Sequence, residues 1–298
     1  MDRIDLFRIF ARVVESGGFT RAADSLRLPR STVSMAVQDL EGRLGTRLLH
    51  RTTRRVTATA DGAAFYERCL RLIQEVEEAE SLFRQSGARP RGLLRVNVPG
   101  RIGRRLLAPA LPQFLDRYPD LDLDLGVTDR PIDLVGEGVD AAIRVGELPD
   151  SGLIARPLGQ LALVNCASPA YLARHGVPLR PADLADHIAV NYASPLSGRI
   201  AAFDGGAAGA FPLKARVTVN NAEAYIACCL AGLGLIQVPA FDVRDHLRCG
   251  ELVAVLEDYR AVPMPITLLY PHRHHLSPRL RVFAAWVEDL FRAELADQ

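Results

Sequence analysis

FTRAADSLRLPRSTVSMAVQDLEGRLG, residues 19–45, decides the reading of this chain. Ser16-Gly17-Gly18 breaks a first helix whose Leu6, Phe10 and Val13 share one face, and FTRAADSL starts a short second helix. Pro29 punctuates again before a third helix that runs to about Leu44-Gly45. In that helix Val33, Val37, Leu40 and Leu44 step by 4, 3 and 4, which predicts a buried stripe. Ser31, Ser34, Met35 and Gln38 fall on another face, and none of them is charged. Such side chains suit base edges: Gln can pair bidentately with adenine, and Ser can donate or accept. With Arg30 and Thr32 they form the predicted groove-reading set.

Downstream, LLHRTTRRVTATADG (residues 48–62) alternates and holds five polar residues in a row, Arg51 to Arg55. This predicts a two-stranded wing whose tip, through Arg51, Thr52, Thr53 and Arg54, binds phosphates and reaches a minor groove. Residues 61–86 then read as one long helix with Thr59 as its cap. Phe65, Cys69, Leu72, Val76, Ala79 and Phe83 step by 4, 3, 4, 3 and 4, a heptad seam. About 26 residues at 1.5 Å each make a rod of roughly 39 Å. Its narrow apolar stripe calls for a partner helix, either the copy in a second subunit or the chain's own body. GARPRG (residues 87–92) is the hinge that follows.

Charge divides along the same lines. The net charge of the 298 residues is only +1, yet residues 1–60 hold 11 Arg against 6 Asp and Glu. A basic front on a near-neutral body is the pattern of a nucleic-acid-binding head on a larger module. Lys214 is the only lysine among 36 basic residues, and it follows Leu213, so a GxxxxGK[ST] phosphate loop is excluded. Five cysteines without a CxxC pair (Cys69, Cys166, Cys228, Cys229, Cys249) argue against a disulfide framework and a zinc site. Cys228 and Cys229 fall on different helical faces and read as buried reduced thiols. No apolar run reaches membrane-spanning length and the start lacks a signal-peptide core, which predicts a cytoplasmic protein with no membrane partner.

From Leu93 onward strands and helices alternate, from LLRVNVP and RRLLAPALPQFLDRYP to ITLLY and a closing helix, SPRLRVFAAWVEDLFRAEL. This predicts an α/β fold: a two-lobed body with ligand room between the lobes. The division expected is 1–60 for the winged helix-turn-helix, 61–90 for linker and hinge, and 91–298 for the body. Within the body, lobe I covers about 91–161 and 266–298, and lobe II about 162–265. Gly136 to Ala141 matches GxGxxA, but it ends a helix and leads into a strand, the reverse of a dinucleotide site. His272, His274 and His275 lack a nearby Cys or carboxylate cluster and read as a surface loop. No GxSxG or Ser/His/Asp grouping stands out. No catalytic residue, metal or cofactor is predicted.

The sequence resembles the LysR-type transcriptional regulators over essentially its whole length. The resemblance is carried by Phe19 to Ala23, Val33-Ser34 through Leu40-Glu41, Leu44 to Leu49 and His50 to Val56 in the front. In the body it is carried by Gly103-Arg104-Arg105, DAAIRVG (residues 140–146), Ala167 to Leu172 and AGLGL (residues 231–235). It implies a winged helix-turn-helix, a linker helix that dimerises, and an effector domain like type 2 periplasmic binding proteins. Members act as dimers or dimers of dimers on interrupted inverted repeats in promoter DNA, with a small molecule changing their grip. RNA polymerase is a candidate further partner. A solute-binding protein or an enzyme on the same body is the rival reading, and neither accounts for a basic winged head. Met35 stands where relatives often carry Arg or another polar residue, and Arg101 where close relatives tend to have Ser.

For the effector, the strand ends predict a cleft lined by Pro99, Gly100, Arg101, Ile102, Thr128, Asp129, Arg144, Val145, Gly146, Ser168, Asn220 and Asn221. Arg101 precedes a helix expected to begin near Gly103. Pointing inward, its fork and the free N–H groups there would seat a carboxylate; the alternative is that it points to water.

Overall fold

In the computed structural model, which describes residues 1–51, 56–81, 90–195, 198–200, 202–211, 213–271 and 276–296, Asp2 opens the first helix. Its carboxylate accepts the Asp5 N–H at 2.8 Å and the Asp5 carboxylate accepts the Asp2 N–H, a reciprocal cap. This helix, α1 (Arg3–Ser16), ends at Gly17, whose φ of +61° suits a residue without Cβ. Then come α2 (Phe19–Leu26) and α3 (Arg30–Leu44). Leu6, Phe10, Val13, Ala22, Val33, Val37 and Leu40 close one apolar core between the three helices. Leu44 departs from the predicted stripe. It is 45% exposed because the last turn of α3 runs past the core, and Ala36 is buried instead.

The wing strands β1 (Leu49–Arg51) and β2 (Val56–Ala58) pair antiparallel, with Arg51 opposite Val56. Glu41 of α3 accepts the backbone N–H groups of Leu48 and Leu49 at 2.9 and 3.2 Å, tying the helix to the wing. The next helix, α4 (Ala60–Ser81), is capped as expected: the Thr59 hydroxyl accepts the Gly62 N–H at 2.9 Å. A Cβ at residue 62 would sit 1.9 Å from the Leu48 carbonyl oxygen, so only glycine lets α4 approach the wing this closely.

The linker seam divides. Phe65 lies 5.6 Å, ring to ring, from both Phe7 and Phe10 of α1. Cys69 is fully buried in the head core, and burial pushes its thiol up to about 12. These two positions therefore face α1 of their own chain, because α1 packs along α4. Leu72 is 41% exposed and Val76 half-buried. The Ala79 side chain, and Phe83 altogether, lie outside the described residues, as does the hinge up to Arg89.

These elements belong to one unit, Met1–Ala88, and the rest to a second, Arg89–Gln298. The second starts with β3 (Gly92–Val98), then α5 (Gly100–Ile102), which continues through a π-helical segment (Gly103–Leu107) into α6 (Ala108–Arg117). The helix predicted to begin near Gly103 thus begins at Gly100. Next are β4 (Leu121–Val127), α7 (Leu134–Glu137), β5 (Ala141–Val145) and β6 (Leu153–Leu161). Gly138 closes α7 and leads into β5, so the GxGxxA match ends a helix and runs into a strand, as the sequence indicates.

The chain then crosses into the second lobe with β7 (Leu163–Ala167), α8 (Pro169–His175), β8 (Ile188–Tyr192), β9 (Phe203–Asp204) and β10 (Ala210–Phe211). It continues with β11 (Lys214–Val219), α9 (Ala222–Leu230), β12 (Ile236–Pro239), α10 (Ala240–Arg248) and β13 (Val253–Ala254). It returns as β14 (Met264–Pro271) and α11 (Pro278–Ala296). His272 to His275 lie outside the described residues.

The first lobe is a five-stranded sheet, ordered β4-β3-β5-β14-β6, in which β3 runs parallel to β4 and β5 and β14 antiparallel to its neighbours. Leu94, Val96, Ile143, Ile266 and Leu268 of that sheet pack with Phe283, Val287 and Phe291 of α11. The second lobe combines β12-β7-β13 with the parallel pair β11-β8. Cys166, Ile226, Cys229, Ile236 and Val238 fill its core, and Cys228 is only half-buried. Among the described residues no helix is long and apolar enough to cross a membrane.

Candidate functional site

Each unit presents one surface built to receive something. In the first it is the outer face of α3. Arg30, Ser31, Met35 and Gln38 are exposed, Met35 by 68%, while Thr32 and Ser34 are half-buried. Among the described residues the side chains of Ser31, Thr32, Ser34 and Gln38 make no hydrogen bond. The buried row of the same helix fixes it to α1 and α2, so these polar groups stand ready on a rigid support. Arg51 ends β1; its side chain, and Thr52, Thr53 and Arg54, lie outside the described residues.

In the second unit a cavity of about 650 Å³ opens between the lobes. Seven of the twelve predicted effector residues line it: Pro99, Arg101, Ile102, Asp129, Arg144, Val145 and Gly146. The other five do not line it. Ser168 caps α8 by accepting the Tyr171 N–H, and Asn221 caps α9 by accepting the Ala224 N–H at 3.1 Å. The Thr128 hydroxyl accepts the Arg130 N–H, and Asn220 is exposed. Gly100 donates its N–H to Asp129 Oδ1 at 2.9 Å, and Asp129 Oδ2 accepts the Asn221 amide at 2.8 Å. One carboxylate thereby links the start of α5 to the start of α9 across the lobes.

Arg101 corrects both readings made of it. It does not point to water, being 4% exposed, and its fork is not open to a ligand carboxylate. Nε donates to Asp242 Oδ1 at 3.0 Å, Nη1 to Glu223 Oε2 at 2.8 Å, and Nη2 to the Asp242 carbonyl. Arg104 donates to Glu223 at 3.0 Å and Arg105 to Asp245 at 2.6 Å. The segment 101–105 is therefore a row of three cations clamped onto α9 and α10. Burial pushes the Asp242 carboxyl up to about 6, with Arg101 opposing it, whereas Arg105 draws the half-buried Asp245 down.

Arg144 is different. It is 5% exposed, and its guanidinium donates to the Ile143 carbonyl at 2.8 Å, the Asn97 side-chain oxygen at 2.7 Å and the Arg130 carbonyl at 3.4 Å, all neutral acceptors. The apolar wall of the cavity (Tyr192, Phe203, Phe211 and Tyr225, with Val190 and Val238) comes from the second lobe and was not foreseen. Its four rings are 11, 8 and 14 residues apart, so no period marks them. Among the described residues no group of His, Cys, Asp and Glu could hold a metal ion.

The comparisons with known proteins match both units. Residues 4–63 match the bacterial regulatory helix-turn-helix model of the lysR family, and residues 87–292 the LysR substrate binding domain. The HTH-type transcriptional regulator YhjC of Escherichia coli is 42% identical over 99% of this chain and 100% of its own length. An HTH-type transcriptional repressor of Pseudomonas aeruginosa is 38% identical, covering 98% of this chain and 93% of its own. The solved structure of CrgA, a LysR-type transcriptional regulator from Neisseria meningitidis, aligns with a TM-score of 0.59 at 32% identity, over 98% of this chain and 99% of that one. With a helix-turn-helix head and a two-lobed body matched end to end, the chain belongs to the LysR family of DNA-binding transcriptional regulators and is not an enzyme.

Proposed function

We propose that this regulator grips an interrupted inverted repeat in promoter DNA as a dimer or a dimer of dimers. The outer face of α3 enters the major groove, and the wing, through Arg51, Thr52, Thr53 and Arg54, holds phosphate and the adjacent minor groove. A second copy packs along α4 through Leu72, Val76 and the seam beyond them. A small molecule held between the lobes by Arg144 and its neighbours changes the closure of the lobes, and so the spacing of the two heads. RNA polymerase at the neighbouring promoter is the partner such a position offers.

The observation that carries the reading is the outer face of α3: a row of uncharged polar side chains with no internal bonding duty, on a helix otherwise locked in a core. The test is a footprint of the purified protein on the DNA upstream of its own gene, with and without candidate metabolites. Two protected half-sites one or more helical turns apart are expected, with their pattern altered by an active metabolite. Protection that ignores sequence would overturn it.

A further inference from the structure

Apart from Glu147, which is exposed, the ionised groups facing the cleft are satisfied from within the protein, with one exception among the described residues. Arg101 is matched by Asp242 and Glu223, and both oxygens of Asp129 accept bonds from Gly100 and Asn221. Arg144 lines the same cavity, yet no carboxylate lies within 4 Å of its guanidinium among the described residues. Burial lowers its proton affinity, and only the more distant charge of Asp129 works against that. A buried cation that is hydrogen-bonded but not neutralised is costly, and an anion arriving beside it relieves the cost through a charge-assisted bond.

Opposite this charge the second lobe offers rings. Tyr192 and Tyr225 lie 5.3 Å apart, and Phe203 and Phe211 extend the wall. A cavity of about 650 Å³ exceeds what a two- or three-carbon acid fills, and it suits a ring-sized body. The charged groups lining the cavity besides the two arginines are the carboxylates Asp129, Glu147 and Asp242, so a second anionic group on the ligand would meet repulsion.

We propose that the cleft takes a monocarboxylate with an apolar, ring-sized body, its carboxylate seated on Arg144 and its ring against the aromatic wall. This rests on the reading of the cleft as the effector site and gives that site a ligand class.

The test uses a matched set on the full-length protein: 2-naphthoate, 2-naphthamide, naphthalene-2,6-dicarboxylate and acetate. Affinities are measured by calorimetry. Site occupancy is read from methyl-labelled methionine by NMR, because Met264 lines the cleft while the other two methionines, Met1 and Met35, belong to the head. Binding of 2-naphthoate at least about tenfold tighter than of the amide or the diacid is expected, with the Met264 methyl shifting on titration. Arg144→Gln should abolish that preference, the acid losing far more affinity than the amide. An amide that binds as well as the acid, a diacid or acetate that binds best, or no binding by any of the set overturns the ligand class. Should the variant fold poorly, the wild-type comparison decides alone. Tight binding of 2-naphthoate that leaves Met264 unmoved would instead show that the cleft is not the effector site.

Discussion

Arg30 and Arg101 both occupy the first turn of a helix, one in each unit, and they have opposite fates. Arg30 opens α3, exposed, with no acid beside it among the described residues. Arg101 lies in α5, 4% exposed and held by two carboxylates. The contrast extends beyond this pair. In the head, Arg12 pairs with Glu15 and Arg43 with Asp39, three and four residues apart and at the surface. In the body, Arg101, Arg104 and Arg105 reach acids 119 to 141 residues away. Composition registers all of these as positive charge; the partner decides whether that charge acts on an outside anion or on the fold. An exposed Arg30 at the start of α3 keeps its charge available for phosphate. Arg101, Arg104 and Arg105 are lent to the architecture of the body.

The largest effect should come from the part of the linker that the head core leaves uncovered. Leu72→Glu places a charge on the exposed half of the α4 seam, and it should break the dimer and lower operator affinity about a hundredfold or more, since two half-sites must be held together. Sedimentation and gel shift measure this together, and a variant that stays dimeric would move the interface elsewhere. Phe65→Ala, seven residues earlier in the same seam, should instead cost about 3 kcal/mol of head stability, because its ring packs on Phe7 and Phe10.

The next effect tests the arginine contrast itself. Arg101→Ala strands Asp242 in a buried site and should cost about 3–5 kcal/mol in denaturant unfolding of the body. A loss below 1 kcal/mol would mean that the clamp holds without it. Gln38→Ala should leave stability alone and cost about 1–3 kcal/mol of binding at one base pair, relaxing specificity there. Equal losses on operator and random DNA would remove Gln38 from base reading. Arg30→Ala should be the mildest: stability within about 0.5 kcal/mol, and a slope of log affinity against log salt reduced by about 0.9. An unchanged slope would put Arg30 away from the phosphates.

The head was legible where spacing alone settles the matter. Val33, Val37 and Leu40 face inward because no other period fits them, and Thr59 caps α4 because the hydroxyl stands where a helix must start. The seam was legible only as a direction. A four-three repeat says which side of α4 is apolar; it cannot distinguish α1 of the same chain from α4 of another, and Phe65 and Cys69 took the first. Arg101 was harder still, since the acids that hold it sit in α9 and α10, more than a hundred residues away, and nothing local announces them. The aromatic wall escaped because it is assembled from a five-residue strand, two-residue strands and the first turns of α9, too short for any repeat to show.

The peptide at Leu48 has a mechanical consequence. Its N–H is held by Glu41 at the end of α3, its carbonyl accepts the Thr59 N–H at 2.9 Å, and the same oxygen lies against Gly62 at the start of α4. Three elements meet at this one joint without slack. A torque applied to α4 therefore turns α3 by the same angle rather than being absorbed in a compliant loop. In a dimer, the stiffness of that joint would set how faithfully a twist between the two linkers reaches the grooves of the DNA.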